Sequence, residues 1–399
     1  MRAAVWRSAK SWLGRGPRRL AALALGLALL APVPVQAHDA SAYGGVFRSR
    51  NAGGTWLGAD AGLFLNAALT VAVDPHDPAH LLLGTDTGLL RSLNGGRSWA
   101  PEAKGAVLGP VFAAAFAPKG GVVLCAATGG VFRFSDGRWA RVGVPPGAVP
   151  ARMIAFGSKP GRVYLLGRSG LFASDDAGRN FASLPDPPQG GAPVAALAVS
   201  VTPQEETLFA LAGGALLAST DGGSHWEGRG VGAGRLEALL YDPAPPGRLW
   251  AITGGALATS DDRGQHWRSV GRLPEPNMVV RGIAADAARV IVTSDRGMYR
   301  SPDGGQTWQF AESGLPAHIE SGPLARDPSD PRTLYAVYSL MPYSEVWRAA
   351  LEGSNLLSRV DAAQLAGGGA FMLLLLLAGG MLVRWLVGHP RSIPDGRPG

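Results

Sequence analysis

Apolar residues in this chain come in short runs, each stopped by glycine, proline, aspartate or asparagine. Leu69-Thr70-Val71-Ala72-Val73 ends at Asp74-Pro75-His76-Asp77-Pro78, Leu81-Leu82-Leu83-Gly84 follows, and after another turn comes Gly88-Leu89-Leu90-Arg91. Runs of this length bounded by turn residues predict strands joined by tight connections. The same order of run and punctuation returns along the whole middle of the chain, so the pattern is an internal repeat before it is anything else.

Its most regular part is Ser-x-Asp-x-Gly-x-Thr-Trp, intact at Ser301-Pro302-Asp303-Gly304-Gly305-Gln306-Thr307-Trp308. Variants begin at Ser49, Ser92, Ser174, Ser219 and Ser260, and a shortened copy runs from Phe134 to Trp139. The spacing is about 40 to 45 residues, the period of a four-stranded propeller blade. The third place holds Asn51, Asn94, Asp136, Asp176, Asp221, Asp262 or Asp303, a side chain able to bond its own backbone across a turn. The glycine two places on accepts a positive φ. The closing Trp56, Trp99, Trp139, Phe181, Trp226, Trp267 or Trp308 is expected to be a buried anchor.

The first copy carries only the two outer strands of a blade, and the last segment, 323–349, carries inner strands without a box. Joined, these halves make a seventh blade that closes the ring and removes its open sheet edge. Val346-Trp347-Arg348 offers a further strand, which leaves an eighth, partial blade as the alternative. The expected fold is therefore an all-β, seven-bladed β-propeller over 38–351. A linker follows at 352–364, then a single transmembrane helix over 365–387, since Leu365 to Val383 contains no charge and about 20 apolar residues span a bilayer. A tail at 388–399 completes the chain.

These repeats resemble the Asp-box, or BNR, repeats of sialidases, sortilin-type receptors, xyloglucan-degrading endoglucanases and photosystem II assembly factors. The resemblance covers about residues 42 to 350 and implies that the boxes are structural and lie on the rim of each blade. It names the architecture and leaves the activity open.

Charge refines the picture. The chain has 37 Lys and Arg against 30 Asp and Glu. The excess lies at the ends: Arg2, Arg7, Lys10, Arg15, Arg18 and Arg19 precede the apolar run Leu20 to Leu30, while Arg384, Arg391 and Arg397 follow the apolar stretch. The middle is nearly neutral, which argues against a nucleic-acid partner. Residues 1–37 are expected to be a signal peptide cleaved after Val35-Gln36-Ala37, with an uncleaved signal anchor as the other reading. The positive-inside bias puts the tail in the cytoplasm. The propeller then lies in the periplasm, held by one pass at a bacterial inner membrane.

Candidate chemistry is sparse. Asp86 and Asp295 occupy equivalent places six residues before the box serine, where the resemblance to xyloglucan-degrading enzymes implies a catalytic carboxylate. Glycoside hydrolysis needs such a pair. The sialidase F-R-I-P stretch is missing, with Val46-Phe47-Arg48-Ser49 in its place. His225 and His266 belong to separate boxes, and His76 and His80 are a thin ligand set, so no metal and no cofactor is expected. The lone Cys125 sits in an apolar strand and cannot form an internal disulfide. Leu340, Met341 and Tyr343 form an apolar loop that either docks a partner or tucks over the channel. The preferred function is a protein-binding, assembly or scaffold module serving a membrane or periplasmic complex, with glycan contact possible. The alternative is an exported hydrolase using Asp86 and Asp295.

Overall fold

The computed structural model describes residues 44–353, apart from 61–62, 188–190, 203–204, 231–233, 245–246, 287, 312 and 317–318, together with Met381. The expected leader, the linker beyond 353 and the rest of the apolar stretch lie outside the described residues. No helix among the described residues is long and apolar enough to cross a membrane.

Seven antiparallel sheets of four strands surround a central axis. Blades 1 to 6 are continuous in sequence (68–102, 111–142, 153–183, 194–229, 238–272 and 280–310). Blade 7 is assembled from both halves of the chain, in the order Leu57–Gly58, Gly45–Ser49, Leu334–Ser339, Glu320–Arg326. Gly45–Ser49 lies antiparallel to Leu334–Ser339, with Val46 opposite Val337 and Ser49 opposite Leu334. The first strand of each blade lines the axis, and these strands contact one another around the ring.

The burial pattern follows from this stacking. A second strand is covered on both sides by neighbouring blades, so Leu81–Thr85, Val123–Ala127 and Val163–Gly167 are buried at every residue. Such strands read as continuous apolar runs because neither face meets water. The core is a set of inter-blade clusters, for example Leu124 and Val131 of blade 2 against Leu165, Phe172 and Phe181 of blade 3.

Each box is a small hydrogen-bonded clamp. In blade 6, Ser301 Oγ donates to Asp303 Oδ1 at 2.7 Å, the Gly305 N–H donates to Ser301 Oγ at 2.7 Å, and the Thr307 N–H donates to Asp303 Oδ1 at 2.8 Å. Gly305 needs φ +103° to present that N–H. The shortened copy lacks this clamp and is a two-residue hairpin: Ser135 pairs with Arg138, and Asp136 and Gly137 have φ +53° and +77°. Asp-Gly is the favoured pair for that turn.

Two expectations change. Val346-Trp347-Arg348 is no strand and adds no eighth blade among the described residues; it belongs to helix α1, Tyr343–Leu351. Tyr343, Val346, Trp347 and Ala350 recur at helical spacing, which makes one apolar face. The box aromatics also differ from one another: Trp56 and Phe181 are buried, whereas the remaining five are half-buried at blade seams. Their indoles face water on one side and reach the preceding blade on the other, as when Trp99 Nε1 donates to Ala59 O at 2.7 Å.

Candidate functional site

An antiparallel blade sends its first and third turns to one end of the ring and its middle loop to the other. The boxes therefore share one face with the Asp-Pro turns, here the box face. Middle loops and inter-blade connectors share the opposite face, from which α1 also emerges.

α1 lies over the channel mouth. Val346 and Ala350 pack on Ala67 and Leu69 of blade 1 and on Phe112 of blade 2. The Phe112 ring stands edge-on to Trp347 with centroids 4.9 Å apart and to Tyr343 at 5.8 Å. Arg152 of the blade 3 entry sits 5.7 Å from the Trp347 centroid, and Arg281 of blade 6 sits 5.1 Å from that of Tyr343. Both are cation–π distances. Glu320 of blade 7 ties the helix start to the ring: its Oε2 accepts the Tyr343 N–H at 2.8 Å, and its Oε1 accepts Arg281 Nε at 2.8 Å. Burial pushes the Tyr343 phenol up to about 12 and lowers the Arg152 guanidinium from its ordinary value.

Of the apolar loop singled out in the sequence, Met341 and Tyr343 turn inward, while Leu340 remains exposed. Around it on this face the connectors expose Leu63, Phe64, Leu108 and Val279. The mouth is thus lined by aromatic side chains, with these exposed apolar residues on the connectors around the ring.

The two candidate carboxylates are not brought together. Asp86 lies in blade 1 and Asp295 in blade 6, with blade 7 between them. Asp86 Oδ2 accepts Asn66 Nδ2 at 2.9 Å, and Asp295 Oδ1 accepts the Val279 N–H at 2.9 Å, so each carboxylate ties its middle loop to the connector that enters its own blade. A cleft of about 530 Å³ on this face lies between blades 4 and 5, lined by Pro193, Leu211, Arg235 and Glu237 among others, and contains neither aspartate.

The histidines are also dispersed. His76 Nε2 is 2.8 Å from Pro118 O, whereas His80 Nδ1 is 3.0 Å from Asp74 Oδ2. His225 and His266 each bond the aspartate of their own box at 2.6 Å. Among the described residues no group of three or more His, Cys, Asp or Glu is placed to hold a metal. Sequence reasoning missed Phe112, Arg152, Arg281 and Glu320; they gather only once the ring closes, and no local signal marks them.

No family model matches the sequence, and no curated protein does. Solved structures share the fold. One is YCF48 bound to a D1 peptide, 21% identical with a TM-score of 0.51, over 69% of this chain and 93% of that chain. A second is YCF48 from Cyanidioschyzon merolae, 16% identical with a TM-score of 0.55, over 69% of this chain and 97% of that chain. The GH74 xyloglucanase from Xanthomonas campestris is 20% identical with a TM-score of 0.51, and the match spans 69% of this chain and 54% of the enzyme. At these identities the likeness is one of fold.

Proposed function

We propose that the chain is a membrane-anchored propeller outside the cytosol, at a bacterial inner membrane, whose helix face docks protein and serves the assembly or scaffolding of a membrane or periplasmic complex. The observation that carries this reading is a set of exposed apolar side chains, Leu340, Phe64, Leu108 and Val279, on the face where α1 packs. Exposed apolar side chains on one face favour a macromolecular partner. A similar propeller, YCF48, has been solved with a D1 peptide bound, which supports a peptide-binding use of this architecture.

The tether points the same way. α1 leads through residues 354–364 into the apolar stretch, and eleven extended residues reach about 39 Å at most. The helix face is the one from which this tether leaves, and there it meets partners embedded in the same membrane. A hydrolase built on Asp86 and Asp295 fits less well, because the two lie two blades apart and each is bonded to the connector that enters its own blade.

The test places a photo-crosslinking residue at Leu340 and, separately, at the exposed box-face position Leu93, in native membranes. Protein adducts from Leu340 with none above background from Leu93 are expected. Equal labelling from both positions, or none from either, overturns the reading. Xyloglucan hydrolysis that is lost in a folded Asp86→Ala variant installs the glycosidase in its place.

A further inference from the structure

Blades are fastened on the box face by arginines that reach into the next blade's box. Arg48 Nη1 of blade 7 donates to Gly95 O of blade 1 at 2.7 Å. Arg133 Nε of blade 2 donates to Ala177 O of blade 3 at 2.9 Å, and Arg289 Nη1 of blade 6 donates to Asn51 O of blade 7 at 2.8 Å. The seam between blades 7 and 1 differs in its surroundings. A cleft of about 410 Å³ opens there, lined by Arg48, Arg50, Arg97, Asp327, Asp330 and Tyr335 among others.

Arg50 belongs to the blade 7 box and Arg97 to the blade 1 box, on opposite sides of the cleft. Both are exposed, and neither makes a hydrogen bond or ion pair among the described residues. The two carboxylates of the cleft are engaged within their own turn. Asp327 Oδ1 accepts the Ser329 N–H at 2.8 Å and the Ser329 hydroxyl at 2.7 Å, while Asp330 Oδ2 accepts the Thr333 hydroxyl at 2.8 Å. The corresponding cleft between blades 3 and 4, about 290 Å³, has the opposite balance: Lys159 and Arg162 meet Glu205, Glu206 and Asp221. Arg162 is already paired with Asp175 at 2.9 Å.

We propose that the cleft between blades 7 and 1 binds an oxyanion, a phosphate or carboxylate group, gripped from two sides by Arg50 and Arg97 with Arg48 behind. A guanidinium fork presents parallel N–H donors that match two oxygens of either group. The volume lies within the range of small-ligand sites. The bound anion bridges the N-terminal half of blade 7 to blade 1, so it fastens the seam between those two blades. This site is on the opposite face from the proposed protein dock and does not depend on it.

The test is thermal unfolding of the full chain in detergent, with inorganic phosphate or a short polyglutamate peptide titrated against sodium chloride at matched ionic strength. A ligand that binds the folded ring alone raises the midpoint with its concentration. A rise with phosphate identifies a free or esterified phosphate as the source, and a rise with the peptide identifies acidic side chains. The Arg50→Ala/Arg97→Ala variant is expected to weaken the response by about tenfold or more in concentration. Arg50→Lys/Arg97→Lys keeps the charge, loses the fork and falls between. Lys159→Ala leaves the response unchanged. No rise with either probe, or an undiminished response in the double alanine variant whose ligand-free midpoint matches wild type, overturns the proposal.

Discussion

Arg326 of blade 7 donates from Nη2 to Asp242 Oδ2 of blade 5 at 2.9 Å and from Nε to Oδ1 at 3.1 Å, spanning blade 6. Blade 6 completes the knot through Ala285, whose N–H donates to Asp242 Oδ2 at 2.7 Å and whose carbonyl accepts Arg326 Nη2 at 3.2 Å. Both side chains are buried, 8% and 3% exposed, at the end of the axial strands opposite α1. Three neighbouring blades are thus tied to one another by a buried ion pair at the end of the ring opposite α1.

Removing one member of that pair strands a charge in low dielectric. Asp242→Ala is expected to lower unfolding free energy by about 3–5 kcal/mol in urea titration. The double variant Asp242→Leu/Arg326→Met recovers most of the loss, because the pair's value lies in mutual neutralisation. A double variant no more stable than Asp242→Ala contradicts this account.

The boxes link stability to acid. The Thr307 hydroxyl and N–H, with Ser301, hold the Asp303 carboxyl at about 2, below its ordinary 3.8. The His266 N–H does the same for Asp262, at about 2. Because the folded value is depressed, the contribution is present above about pH 4 and disappears as pH falls to about 2. Asp303→Asn is therefore expected to lower the thermal midpoint at neutral pH and to narrow the gap from wild type between about pH 4 and pH 2. A gap constant across that window removes the linkage.

α1 docks on the ring through one face, with Trp347 set against Phe112 and Arg152. Trp347→Ala is expected to cost about 2 kcal/mol of helix docking, a reduced form of the buried aromatic truncation, because the side chain is only half-buried. Hydrogen exchange of 343–351 should then quicken while Leu334–Ser339 stays protected. Loss of protection throughout the ring would make the helix part of the core instead.

The Cys125 thiol is fully buried, and burial pushes its pKa above the ordinary range. In native buffer at about pH 8 a disulfide reagent should leave it unmodified, and in guanidinium chloride it should react. Reaction in the native state would mean that blade 2 opens locally.

The ring was legible in the sequence because its determinants are local. A box needs only that Ser301, Asp303, Gly305 and Thr307 sit at fixed offsets, so six such copies and one shortened Asp136-Gly137 turn announce seven outer turns. The shared blade was legible from complementary missing parts at 45–58 and 320–339. α1 escaped because Val346-Trp347-Arg348 taken alone alternates like a strand; the longer window with Tyr343 and Ala350 carries the helical period. The Asp242–Arg326 knot and the cluster of Phe112, Arg152, Arg281 and Glu320 join residues of different blades. Their proximity is a product of ring closure, and no sequence window contains it.

The shared blade also fixes when the molecule becomes a ring. Gly45–Ser49 emerges early in synthesis and has no strand partner on its inner side until Leu334–Ser339 follows. A chain arrested anywhere before that strand retains an exposed ladder edge on its first hairpin, open to another chain. Only when residue 339 is in place does that edge find its partner and the last sheet become whole.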